Sequence, residues 1–298
     1  MQLISSISIF IFGLIIGSFL NAVIYRLKFG GSIIFGRSKC PYCKKTLGFW
    51  DLIPVLSFLF LRGRCRYCHK KISWQYPIVE IITALLFLSV FNFQFSIFNF
   101  QSIFNDKIFN FQNLLSNIYY LVSFFYFLFV ICCLIVIFVY DLKYSLILDK
   151  ILLFVGVISI IFYAALVFLD RTFFNVSTSL DINFDHYREV NFWNLLWGML
   201  IGGGFFLILY LLSGGRWIGA GDAKFGFLMG LWLLFPKILV ALFFAFVLGG
   251  IVALILLFAG KKKMRSQISF GPFLALGTLF ALLFGQQVLD WYLKWLGI

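Results

Sequence analysis

Four cysteines and three aspartates carry most of the chemistry that this sequence offers. Cys40 and Cys43 form one C-x-x-C pair and Cys65 and Cys68 a second, with 21 residues between the pairs. Two such knuckles can supply four thiolates to one tetrahedral zinc ion. Four protein ligands leave no open position for water, so zinc bound here is expected to be structural. His69 follows Cys68 and could substitute as a ligand, which four cysteines make unnecessary. A thioredoxin-like redox role needs a strand and helix context that this short loop does not show.

The aspartates sit at the ends of apolar runs. Asp222 lies in "GRWIGAGDAKFG", beside the small residues Gly215, Gly219, Ala220 and Gly221, which let a backbone bend or a substrate come close. Asp141 and Asp149 bracket the polar turn of "VIFVYDLKYSLILDK". Ionisable groups in a bilayer span cost on the order of 2.5 to 3.5 kcal/mol at a helix centre and are usually kept for a task. If two of these acids approach within a few ångströms, like-charge repulsion makes the pair share a proton, one member acting as base and the other as acid. A water held between them could then attack a peptide carbonyl. Each acid also has a plain structural reading: an interfacial Asp141 reaching for water, Asp149 as a helix N-cap, and an Asp222–Lys224 salt bridge.

The elements that must position these groups are apolar helices. Of 298 residues, 63% are hydrophobic and 12% charged, with repeated runs near the roughly 20 residues that cross a bilayer. The chain is therefore expected to be an all-α polytopic membrane protein, with about eight transmembrane helices and a small cytoplasmic zinc-binding loop. The spans are placed near residues 3–25, 77–98, 118–140, 151–169, 193–213, 217–235, 238–259 and 268–290. The first is too long for the apolar core of a cleaved signal and lacks a basic segment before it, so it is expected to be retained.

The net charge of +13 follows the membrane rather than a nucleic acid. Eleven of the 24 lysines and arginines fall between Arg26 and Lys71, where Asp51 is the only acid. With eight spans and both termini outside, 19 of the 24 lie on the cytoplasmic side, including Lys261, Lys262, Lys263 and Arg265. Anionic lipid headgroups are a natural partner for those charges. In that compartment thiols stay reduced, which favours metal over disulfides. Cys132 and Cys133 stand apart, inside an apolar run.

The expected organisation is a first transmembrane helix at 1–25, a four-cysteine zinc loop at 26–76 and a transmembrane core at 77–298. Between the knuckles, "DLIPVLSFLFL" is too short to span and is expected to pack on the membrane surface or under the zinc unit. The tetrapeptide "FNFQ" recurs at 91–94, 98–101 and 109–112, a local duplication suited to an interfacial extension of the second span. The outer loop from Asp170 to Phe192 reads as a solvated connector holding His186.

Several stretches together resemble the bacterial type IV prepilin leader peptidases, a bifunctional leader peptidase and N-methyltransferase family. They are "GLIIGSFLNAVIYRL", "CPYC", "DLIPVLSFLFLRGRCRYC", "ISWQYPIVE", "YDLKYSLILD" and "GAGDAK", in this order. The resemblance covers most of the chain except 91–117 and 170–192. It implies a G-x-G-D aspartyl protease of the bacterial cytoplasmic (inner) membrane, with zinc loop and active site on the cytoplasmic side. Its catalytic pair would be Asp141 and Asp222, and its substrates prepilins or pseudopilins with short basic leaders. Leu148 stands where the family usually has proline before the following acid, and Asp149 is the reserve candidate. The resemblance also implies methyl transfer from S-adenosylmethionine to the new N-terminal amine, for which no glycine-rich fingerprint is visible. Glu80, at the edge of the second span, could meet a cationic substrate group or an internal arginine.

Two other classes compete. In an ion-coupled transporter, Asp141 and Asp222 would line a pathway, although no inverted repeat of broken helices is apparent. A membrane scaffold binding partners through its zinc loop would leave the paired acids unexplained.

Overall fold

The computed structural model describes residues 2–30, 32, 36–97, 111–169, 192–260 and 269–297. Residues 98–110, which hold much of the "FNFQ" region, and the connector with His186 lie outside them. Among the described residues the chain is helical, with only the isolated bridges Lys39–Thr46 and Arg64–Lys71 in extended pairing. The helices are α1 (Gln2–Phe29), the short α2 (Leu56–Phe60), α3 (Gln75–Ile97), α4 (Phe111–Tyr144) and α5 (Asp149–Leu169). They continue as α6 (Phe192–Ser213), α7 (Ala220–Leu233), α8 (Lys237–Phe258) and α9 (Gly271–Leu296). A π-helical turn at Leu200–Gly204 interrupts α6.

Two compact units divide the chain, Met1–Val136 and Ile137–Ile298. In the first, α1 and α3 pack at the closeness that small residues permit. Gly13 and Gly17, four apart on α1, face the backbone of Ala84 and Glu80; a Cβ on Gly17 would stand 2.6 Å from the Glu80 Cα. This is the small-residue logic of helix contacts in lipid, where apolar side chains gain little by leaving hydrocarbon and backbone proximity decides.

The second unit is built around α7. Nine of its 14 residues are buried, including Phe225, Met229 and Trp232. Gly226 and Gly230 on α7 meet Gly202 and Gly198 on α6, and a Cβ on either α7 glycine would collide with the facing carbonyl oxygen. On the other side, Trp232 Nε1 donates to Ser159 Oγ of α5 at 3.0 Å. Gly277 of α9 makes a comparable approach to Ala241 of α8.

Among the described residues, six helices are long and apolar enough to cross a membrane, at Leu3–Phe29, Gln75–Asn92, Leu121–Tyr144, Phe192–Ser213, Lys237–Phe258 and Gly271–Leu296. These match six of the eight expected spans. Of the other two, 151–169 is occupied by α5 and 217–235 by α7. The helix at the latter is short: its 14 residues rise only about 21 Å, less than a hydrocarbon core of about 30 Å. Hydropathy cannot distinguish a lipid-facing span from a short apolar helix enclosed by others.

The backbone-to-backbone crossing of α6 and α7 is unforgiving. Gly230→Val is expected to destabilise the protein by more than about 2 kcal/mol through overpacking. Gly250→Ala, where an added Cβ meets nothing within 4 Å, should leave thermal unfolding in detergent unchanged or slightly raised.

Candidate active site and metal centre

The cysteine loop folds as two matching knuckles. Cys40 N–H donates to the Lys45 carbonyl at 3.0 Å, and Lys44 N–H returns to the Cys40 carbonyl at 3.0 Å. Twenty-five residues on, Cys65 N–H donates to Lys70 at 2.9 Å and His69 N–H to Cys65 at 3.0 Å. Lys44 and His69 both take positive φ, at 59° and 55°. His69 therefore occupies the left-handed turn position that a lysine holds in the first knuckle, a backbone role that requires no metal.

The knuckles clasp each other by exchanged cation–π contacts. Lys45 lies 4.3 Å from the Tyr67 ring centre and Lys70 lies 5.0 Å from that of Tyr42. Between them the four sulfurs of Cys40, Cys43, Cys65 and Cys68 all fall within 4.8 Å of one another, and Cys40 and Cys68 are 3.9 Å apart. A tetrahedral ion with bonds of about 2.3 Å to sulfur sets neighbouring sulfurs about 3.8 Å apart. The four side chains fit one zinc ion. Asp51 braces the second knuckle through Arg66 at 2.8 Å and the Tyr67 hydroxyl at 3.3 Å.

Glu80 is buried on α3, and its carboxylate accepts the Val55 N–H at 2.8 Å and a hydrogen bond from Ser18. Its position ties the chain between the knuckles to α1 and α3, so the expected meeting with an arginine gives way to a backbone donor.

In the second unit, three helix ends converge on one turn. Asp141, one turn before the end of α4, is 2% exposed. Its carboxylate accepts the Ser269 hydroxyl and the Gly271 N–H at the start of α9. Gly271 is required to lack a side chain, because a Cβ there would meet the Asp141 carboxylate. Asp222 sits in the first turn of α7 and accepts the Gly219 N–H at 3.3 Å. Ile147, in the α4–α5 turn, lies against both helix starts: it is 3.0 Å from a Cβ built on Gly271 and 3.1 Å from one on Gly221. Ile147 thus bridges the helix start that holds Asp141 and the helix start that carries Asp222.

Asp149 has a different environment. It begins α5, is largely exposed, and pairs with Lys224 at 2.6 Å. Lys224 thus binds Asp149, and the alternative salt bridge to Asp222 is not formed.

Ser269 and Gly271 were not singled out by sequence. The signal available was "SFGPF", a small polar residue and a proline at the head of an apolar run, which marks a helix start. It says nothing about which acid the helix start would receive.

Residues 11–93 match the family described as the bacterial peptidase A24 N-terminal domain, and residues 128–254 the type IV leader peptidase family. Among curated proteins, the chain is 29% identical over 287 residues to a prepilin leader peptidase/N-methyltransferase of Bacillus subtilis (strain 168), covering 96% of this chain and 97% of that one. It is 28% identical to the protein of that name from Legionella pneumophila, covering 95% and 92%. A type 4 prepilin-like proteins leader peptide-processing enzyme of Escherichia coli is 48% identical over 94 residues, 26% of this chain and 35% of its own. No solved structure matches the chain.

The four-thiol geometry has a direct check. Elemental analysis of the purified protein should find one zinc per chain, and Cys40→Ser with Cys65→Ser should abolish it.

Proposed function

Because the chain belongs to the type IV leader peptidase family, we propose that it cleaves the basic leader from prepilin or pseudopilin precursors at the cytoplasmic face of the inner membrane. The catalytic groups are Asp141 and Asp222. The observation that carries this reading is placement: Asp141 binds the start of α9, Asp222 lies in the first turn of α7, and Ile147 of one turn lies against both helix starts.

In the reaction, one carboxylate takes a proton from a water lying between them, and the water oxygen attacks the scissile carbonyl. The other, protonated, gives its proton to the carbonyl oxygen, and the leaving amine is protonated as the tetrahedral intermediate collapses. Ser269 and Gly271 orient Asp141 by donating hydrogen bonds to its carboxylate. The Gly219–Gly221 segment keeps the approach to Asp222 free of side chains larger than a methyl. The precursor's apolar segment lies beside the helices and presents its cleavage site at the interface. No ATP and no catalytic metal take part.

The second activity is methyl transfer from S-adenosylmethionine to the new N-terminal amine, supported by the names of the Bacillus and Legionella relatives. Residues for that cofactor are unassigned. The organisation we propose is a first helix at 1–25, a zinc loop at 26–76 held by Cys40, Cys43, Cys65 and Cys68, and a protease core at 77–298. The zinc is structural: four thiolates fill its coordination and hold the two knuckles together. The transporter reading is not favoured by these relatives.

Cleavage of a purified prepilin by the reconstituted protein tests the pair. Asp141→Asn and Asp222→Asn should each lower the rate by at least about 100-fold, the scale of a lost acid or base, at matched folding. Asp149→Asn should cut nearly normally; normal cutting by both of the other variants would sink the aspartyl mechanism. Loss of zinc should lower folding or methylation more than hydrolysis, measured on the same precursor.

A further inference from the structure

The chain between the knuckles is anchored at membrane depth. Val55, just before α2, gives its backbone N–H to Glu80 at 2.8 Å. Glu80 lies five residues into α3, about 7.5 Å along its axis, inside the span Gln75–Asn92. A hydrogen bond of this kind draws residues 53–56 down beside α1 and α3.

Two faces of the finger have different surroundings. Phe58 is buried, with its ring centre 4.9 Å from that of Trp74 in a tilted pair, and lies close to Gly63. Leu56, Leu59 and Phe60 point outward, and Phe60 is 83% exposed. Phe49 and Trp50, just before this segment, are exposed as well. In water, such a patch on a five-residue helix would be a liability. The flanking segments supply the complementary clue, because Arg62, Arg64, Lys70 and Lys71 follow closely on the patch.

We propose that the Leu52–Phe60 finger is a re-entrant wedge in an anionic lipid leaflet. Acyl chains receive Leu56, Leu59 and Phe60, and headgroup phosphates receive the surrounding cations. Aromatic residues with an apolar body suit that boundary, and Glu80 ties the segment to α3 through Val55 and to α1 through Ser18. The inference requires only that α1 and α3 span the membrane, so it stands or falls separately from the peptidase mechanism.

The test is photo-crosslinking of the full-length protein in phosphatidylglycerol–phosphatidylethanolamine vesicles. Benzoylphenylalanine replaces Phe60, or Ile15 on the outer face of α1, or Tyr42 on the first knuckle, and adducts are identified by mass. Phe60 should give lipid adducts at a yield comparable to Ile15, and Tyr42 should give none. In phosphatidylcholine vesicles the Phe60 yield should drop while that of Ile15 holds. Absence of lipid adducts at Phe60 with Ile15 labelled, or equal labelling of Tyr42, overturns the wedge. Equal Phe60 yields in the two lipids overturn its anionic preference. If added prepilin diverts the Phe60 adduct from lipid to itself, the patch belongs to the substrate and the proposal fails.

Discussion

A carboxylate removed from water must find its hydrogen-bond donors in the protein, and the second unit is arranged around that requirement at Asp141. Its donors come from a hydroxyl and a backbone N–H at the start of α9, where helix geometry leaves N–H groups without internal partners. The same supply serves Asp222, which uses the free N–H of Gly219 ahead of α7. Two acids and two helix starts therefore have to be in one place. That placement constrains the α4–α5 turn, where Ile147 fills the space between the starts, and it forbids a side chain at Gly271.

Holding α7 in position demands a second constraint, the glycine contacts with α6. In lipid, the attraction available to helices is dispersion and backbone proximity. Gly198, Gly202, Gly226 and Gly230 provide it by leaving each backbone bare to the other. Trp232 and Ser159 fix the opposite side with a buried hydrogen bond. The Asp149–Lys224 pair lies at the exposed rim, where an ion pair adds little stability, so it orients more than it holds.

The two sites were legible to different degrees. The cysteine spacing was sufficient because the knuckle is a local structure, closed by bonds four or five residues apart. The mutual clasp of Lys45 with Tyr67 and Lys70 with Tyr42 was not, since it depends on how the two halves face one another. Asp141 and Asp222 were visible as acids at the ends of apolar runs, but Ser269 and Gly271 gain their meaning only from a neighbour over 120 residues away. For Glu80, expected to meet a cationic substrate group or an internal arginine, the Val55 backbone donor was not foreseeable, because a main-chain donor leaves no mark in composition. Hydropathy placed the apolar segments well but carried no sign that α7 is short and largely buried among other helices.

The shortness of α7 bears on how the molecule is made. A helix of about 21 Å cannot hold itself across the bilayer while the rest of the chain is still being synthesised. Its predecessor α6 spans on its own and arrives first, with glycines already facing outward to receive it. Residues 214–219 let the chain reverse immediately, since Gly214 and Gly215 adopt left-handed turns. The two segments would therefore enter as one hairpin, and α8 follows with its own full span. Helix length thus ties the helix that bears Asp222 to its predecessor, whose glycines receive it.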